Sequence, residues 1–275
     1  MHTNKMILLI LNCLFITSIT NSYNIGYHGN DAYVSYETSW GKERFVKEDY
    51  IKYFPYYKEY VEDINLVDIS TINISKLPYP YSTLKTILPF YNRGMYFNSQ
   101  FMTKLFKHNN IVDAIEIGSY YGLSTRHIAS LLPEHGTLYA IDTWQEYHEN
   151  MDEQFLSNVI HSGLTSKILP LKGRSDELVK LVQSYKNNYD LIYIDGDHET
   201  AGVLSDLELY FPLAGSRGIV CGDDWLLKTV RAAVLLFAQQ KQLTVYSDCN
   251  FWFLKNEGEY KVRSLLEAPD EAWIF

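Results

Sequence analysis

The chain has 275 residues, 47% hydrophobic and 21% charged, a globular composition with room for one large domain or two small ones. Acids outnumber bases by 33 to 24, giving a formal net charge of −9. That balance excludes nucleic-acid binding through bulk positive charge, and three cysteines are too few for a disulfide scaffold. Of 23 tyrosines, 13 crowd between Tyr23 and Tyr96, a bias that codon usage alone can produce.

The first expected element is a secretory signal peptide over residues 1–22. Lys5 supplies a basic start, residues 6–16 are apolar apart from Asn12, and Thr20 and Ser22 suit the small positions before a cut ahead of Tyr23. The apolar run is shorter than the roughly 20 residues that span a bilayer, so no stable span is expected once the signal is removed. Export or entry into the endomembrane lumen follows, with an uncleaved signal anchor as the lesser alternative. Residues 23–95 read as an irregular, Tyr-rich arm or cap, with turn signals at Gly26, Gly29-Asn30, Pro55, Pro78, Pro80 and Pro89.

From residue 96 the pattern becomes an alternation. Helical spacing over 97–107 leads to an apolar strand over 111–117, a helix over 123–132 and a strand over 137–141. A helix over 154–162, a strand over 168–171, a helix over 176–185 and a strand over 189–194 follow. Val203, Leu204, Leu207, Tyr210 and Phe211 recur at helical spacing before a strand over 218–221, where Cys221 reads as a small buried hydrophobe. A helix over 230–240 and strands over 243–246 and 251–254 close the domain at about residue 258, leaving 259–275 as a tail. Strands alternating with helices of this length predict an α/β fold: a Rossmann-like, mostly parallel, seven-stranded sheet with helices on both faces.

Ligands of such sheets bind beyond the carboxyl ends of the strands, so the residues there carry the functional information. They are Glu116 and Gly118, Asp142, Gly173-Arg174-Ser175, Asp195-Gly-Asp-His198 and Gly222-Asp-Asp-Trp225. The first turn, residues 116–122, lacks the G-x-G-x-x-G spacing, because Tyr120 and Leu123 stand where a dinucleotide fingerprint needs glycine. Asp142, about 20 residues on, suits a ribose hydroxyl or, equally, a helix cap. Asp195, Asp223 and Asp224 end two strands expected to be neighbours, and an oxygen-rich set of that kind suits Mg²⁺, Ca²⁺ or Mn²⁺. Capping of the following helices would account for one such acid more easily than for three.

These residues resemble a known family. Residues 116–125, 139–143, 189–198 and Gly222-Asp-Asp224 are similar to class I S-adenosylmethionine-dependent methyltransferases, most of all to the branch of macrocin- and novobiocin-type sugar O-methyltransferases. The resemblance spans residues 97–255. It implies that Glu116, Gly118 and Ser119 line the methionine part of S-adenosylmethionine, that Asp142 meets its ribose and that Ser175 meets the adenine edge. It further implies Mg²⁺, or another hard divalent cation, on Asp195, Asp223 and Asp224, with Asp197 as general base and His198 as the competing candidate. The implied reaction is methyl transfer to a hydroxyl of a small hydroxylated molecule, a sugar among the candidates, by a protein open to homo-oligomerisation. The alternatives are an exported, catalytically inert binding protein and a metal-independent methyltransferase. Gly215-Ser-Arg-Gly218 in place of the family's Gly-Gly, and Thr200 in place of an aromatic residue, depart from the pattern.

Overall fold

A computed structural model describes residues 66–275, apart from 92, 95, 146–149 and 266, together with three strands between residues 22 and 46. The expected signal segment, residues 1–22, lies outside the described residues except for Ser22, the first residue of β1. The three strands, β1 (Ser22–His28), β2 (Asp31–Thr38) and β3 (Gly41–Val46), form an antiparallel sheet. They fall in the stretch expected to be irregular. The register pairs Ser22 with Glu37 at one end and His28 with Asp31 at the other.

The second sheet is the α/β core. Its strands are β4 (Asp113–Ile117), β5 (Thr137–Asp142), β6 (Ile168–Lys172), β7 (Tyr189–Ile194), β8 (Ala214–Gly222), β9 (Thr244–Asp248), β10 (Phe251–Lys255) and β11 (Lys261–Ser264). They lie in the order β11-β9-β10-β8-β7-β4-β5-β6. The run from β6 to β8 is parallel, and β10 is antiparallel to both β8 and β9. The chain steps outward from β4 through β5 to β6, then returns to lay β7 on the other side of β4. That reversal opens a crevice at the carboxyl ends of β4 and β7.

Strand alternation sorts the core onto the two faces of the sheet. Ala114, Leu138, Ala140, Leu191, Tyr193 and Cys221 face α1 (Ser99–His108), α2 (Leu123–Leu131) and α3 (Met151–His161) through Met102, Leu105, Ile128, Phe155 and Val159. Ile115, Ile117, Ile141, Ile192, Ile194 and Val220 face α4 (Ser175–Tyr185), α5 (Thr200–Tyr210) and α6 (Lys228–Lys241) through Val182, Val203, Leu207, Val234 and Phe237. Each fully buried aliphatic side chain here contributes about 1.5–3 kcal/mol.

An eighth strand, β11, and the segment after it revise the expected sheet of seven. β11 adds to β9 in parallel, within the stretch set aside as a tail. Beyond it, Trp273 is 1% exposed and stacks near Phe101, while Lys255 Nζ donates to the carbonyl oxygens of Glu271, Ala272 and Ile274. On the amino-terminal side of the domain, Val67 and residues 88–91 touch α3. Leu88 N–H donates to Ser157 Oγ and Tyr91 N–H to Asn158 Oδ1, and Asn158 Nδ2 donates to the carbonyls of Tyr91 and Tyr121. Asn158 thereby pins this arm beside the loop after β4.

Candidate functional site

The loop after β4 is held from below. Glu116 is completely buried and accepts hydrogen bonds from Ser119 Oγ at 2.9 Å, Ser124 Oγ at 2.6 Å and Thr125 Oγ1. Burial pushes its carboxyl up to about 7, and the three hydroxyls counter that rise. Gly118 has φ +90° and lies so close to β7 that a Cβ would stand 1.9 Å from the Asp195 carbonyl oxygen. Only glycine combines that backbone angle with that approach. Glu116 and Ser119, expected along the methionine part of the cofactor, thus hold each other and α2, and the Gly118 and Gly122 amides donate to the carbonyls of Ile141 and Ser119.

Asp142 closes the same loop from β5. Its Oδ2 accepts Tyr120 N–H at 2.8 Å and its Oδ1 accepts Trp144 N–H at 2.7 Å, while Trp144 Nε1 donates to the Tyr120 carbonyl. An ionised carboxylate has about four acceptor positions, and these two amides direct the Asp142 carboxylate at the loop after β4. Ser175 begins α4 and donates through Oγ to Asp206 Oδ1 at 2.5 Å, and its carbonyl accepts Tyr210 OH. The side chain expected at an adenine edge is therefore directed at α5.

A second group stands at the ends of β7 and β8. Asp195, His198 and Asp224 each offer a donor atom, and these atoms lie within 4.8 Å of one another. His198 Nε2 is 2.8 Å from Asp224 Oδ2, and this partner raises the imidazole above its ordinary value. Asn250, in the turn between β9 and β10, donates to Asp224 Oδ1. Burial raises the carboxyl of Asp195 well above the carboxylate range, and the charges of Asp223 and Asp224 raise it further. Asp223 does not join the converging donors. It is 5% exposed, its Oδ1 accepts Asp224 N–H at 2.7 Å, and its Oδ2 receives Tyr193 OH at a long 3.5 Å beside the amide of Asn98. A small cleft is lined by Asp195, Asp197, His198, Asp223, Asp224 and Trp252, among others.

Asp197 lines that cleft and also serves the start of α5. Its Oδ1 accepts Glu199 N–H at 2.8 Å, and its other oxygen lies so near Gly202 that a Cβ there would stand 2.0 Å away. Asn98, Tyr193 and Asn250 are site residues that the sequence pattern leaves unmarked. Only Tyr193 carries a signal, since it lies two residues before Asp195 on the same side of the strand.

The architecture is the Rossmann-like α/β methyltransferase fold, with a tight glycine loop and an acidic cleft side by side at its carboxyl edge. In agreement, residues 115–225 match a family model described as "Methyltransferase domain". The chain is 31% identical over 131 residues to "Probable caffeoyl-CoA O-methyltransferase 3" of Dictyostelium discoideum, over 46% of this chain and 49% of that protein. It thus spans about half the length of the curated relative it matches. Among solved structures, an O-methyltransferase from Bacillus cereus in complex with SAH is 16% identical over 62% of this chain and 84% of its own, with a TM-score of 0.50. Cofactor-bound Rv0187 from MTB is 14% identical over 66% and 84%, with a TM-score of 0.51. At these identities the structures share the fold.

Proposed function

We propose that this protein transfers a methyl group from S-adenosylmethionine to a hydroxyl of a small molecule with the help of a bound divalent cation. The observation that carries the reading is the adjacency of two unlike features across Gly118. The tight loop of residues 118–122 lies on one side, and the carboxylates of Asp195 and Asp224 converge with His198 on the other, with β4 and β7 in direct contact between them. The match to the methyltransferase family model supports it.

Asp195 and Asp224 fit a cation, because both are acidic, converging and mutually repelling, a cost that a bound cation offsets. Such an ion, when bound, acidifies a coordinated hydroxyl and fixes its direction. The residues around it do the rest. The loop of residues 118–122 and Asp142 would hold the methyl donor so that its sulfonium methyl lies in line with the acceptor oxygen, which is where most of the rate advantage arises. Asp197, lining the cleft, would take the hydroxyl proton, since the His198 ring is engaged with Asp224.

The acceptor class follows from the cation seat, because two neighbouring hydroxyls chelate an ion where one does not. A sugar diol is the first choice, on the resemblance to sugar O-methyltransferases, and a catechol-like diol is the competing one. We propose further that the amino-terminal segment directs export; amino-terminal sequencing of protein recovered from the medium tests it. Calorimetry with S-adenosylmethionine tests the function itself. A stoichiometric heat is expected, with transfer to sugar or catechol acceptors that stops on chelation. No binding of the methyl donor, with or without a divalent cation, would overturn the proposal.

A further inference from the structure

The resemblance assigns all three strand-end aspartates to one hard ion, but the geometry divides them differently. Ligands at about 2.0–2.2 Å from a shared ion stand roughly 3 Å apart when they are neighbours. His198 Nε2 and Asp224 Oδ2 are already 2.8 Å apart, and Asp195 completes a set within 4.8 Å. Among the described residues, no hydrogen-bond donor answers the Asp195 carboxylate, which leaves a half-buried charge facing the cleft. Asp223 is the opposite case, with both oxygens turned to protein donors: the Asp224 amide, the Tyr193 hydroxyl and the Asn98 amide.

We propose that the cation seat is formed by Asp195, Asp224 and His198 Nε2, with Asp223 as the support behind it, and that the seat prefers a first-row transition metal to Mg²⁺. Mg²⁺ takes oxygen ligands in near-ideal octahedra, whereas an imidazole in the set shifts the preference toward Mn²⁺, Fe²⁺ or Zn²⁺. Asp223 orients the seat by accepting the Asp224 N–H, and Asn250 fixes the Asp224 carboxylate from the other side. Behind Asp223, Asn98 is completely buried and donates to Tyr193 OH at 3.3 Å, while its own Oδ1 has no partner. Asn98 lies outside the stretch that matches the methyltransferase family model, so this support belongs to the whole chain and not to the matched stretch alone. The inference rests on the cleft's being the cation site of the proposed function, but it can fail independently.

The test uses the full-length protein with Mn²⁺ as probe, followed by electron paramagnetic resonance. Loss of the free-ion signal measures affinity, and pulsed spectra report a nitrogen coupled to the bound ion. One bound Mn²⁺ with nitrogen coupling is expected, displaced only by a large excess of Mg²⁺. His198→Ala, at an exposed ring, should abolish the coupling and weaken binding at least tenfold, the scale of losing a ligand or its orienting partner. Asp223→Asn should retain the coupling, with circular dichroism checking its fold. Bound Mn²⁺ without nitrogen coupling, unchanged affinity in His198→Ala, ready displacement by Mg²⁺, or no binding would overturn the inference. Calorimetry with S-adenosylhomocysteine in chelator separates the two readings. Failure there removes the methyltransferase proposal and leaves a nitrogen-coupled metal centre standing, whereas binding there without nitrogen coupling does the reverse.

Discussion

The two halves of the crevice treat their carboxylates in opposite ways. On the β4–β5 side, Glu116 meets three hydroxyls and Asp142 meets two backbone amides, so each charge is answered by protein donors. On the β7–β8 side, Asp195 is answered by none among the described residues, and its nearest strong influences are two more acids. Hydrogen bonds given to a carboxylate stabilise its charged form, whereas neighbouring acids destabilise it. The first half is therefore closed by its own donors, whereas in the second Asp195 faces other acids while Asp223 and Asp224 have protein partners. Counting strand-end acids does not separate the two; counting their donors does.

Gly118 joins the two halves. Gly118→Ala would drive a Cβ into the Asp195 carbonyl at a backbone angle of φ +90°. With rigid backbone on both sides, a loss of at least about 3 kcal/mol is expected, read as a lower midpoint in urea. A wild-type midpoint would mean that β4 and β7 are not so closely apposed. Glu116→Ala comes next. It would leave three buried hydroxyls without their acceptor and cost roughly 2–3 kcal/mol. Denaturant unfolding checks it, and a neutral result would deny the first half its structural character.

Asp195→Asn should act with the opposite sign. Removing a charge that neighbouring acids oppose should raise the thermal midpoint in chelator at pH 8 by a few degrees, the scale of about 1 kcal/mol in a domain of this size. The same variant should lose divalent-cation binding. Its pH dependence follows from linkage. Asp195 and Glu116 have raised folded-state pKa values, so between the unfolded value near 4 and the folded one, about 7 for Glu116, the folded chain holds more protons than the unfolded chain. Stability contributed this way is present below about 4 and is lost as pH rises toward about 7. Melting curves in chelator should show that decline for the wild type and a shallower one for Asp195→Asn. Equal slopes would mean that Asp195 is compensated after all.

Most of the α/β core was legible because its strands are buried on both faces and read as continuous apolar runs. β11 was not. Its four residues, Lys261 to Ser264, are all exposed, so it belongs to the sheet by backbone pairing without an apolar face to announce it. β8 is longer than its apolar run for the same reason, since the residues before Ile219 lie toward the surface. In the site, the strand-end position of Glu116, Asp142, Asp195 and Asp224 could be read from spacing. The direction of each side chain could not. Asn98 and Asn250 reach the second half of the crevice from a helix start and a hairpin turn far away in sequence. Ser175 turns to Asp206 because α5 presents a buried carboxylate to it, a partner set by tertiary packing alone.

The smallest expected effect on stability tests the finest feature of the second half. Gly202, in the first turn of α5, leaves room for the Asp197 carboxylate, and a Cβ would stand 2.0 Å from Asp197 Oδ2. In Gly202→Ala the aspartate must swing away, because a short side chain yields more easily than helix backbone. Alanine gains about 0.5–1 kcal/mol over glycine inside a helix, which offsets part of the crowding, so the melting temperature should stay nearly constant. The Glu199 amide would lose its acceptor and the cleft its second-half carboxylate, while Asp142 and the loop after β4 are untouched. With Asp197 as proton acceptor, kcat should fall at least tenfold, within the range general bases contribute, while affinity for the methyl donor stays at the wild-type value. If kcat is unchanged, Asp197 is a helix-capping residue only, and the proton must leave by another group of the same turn.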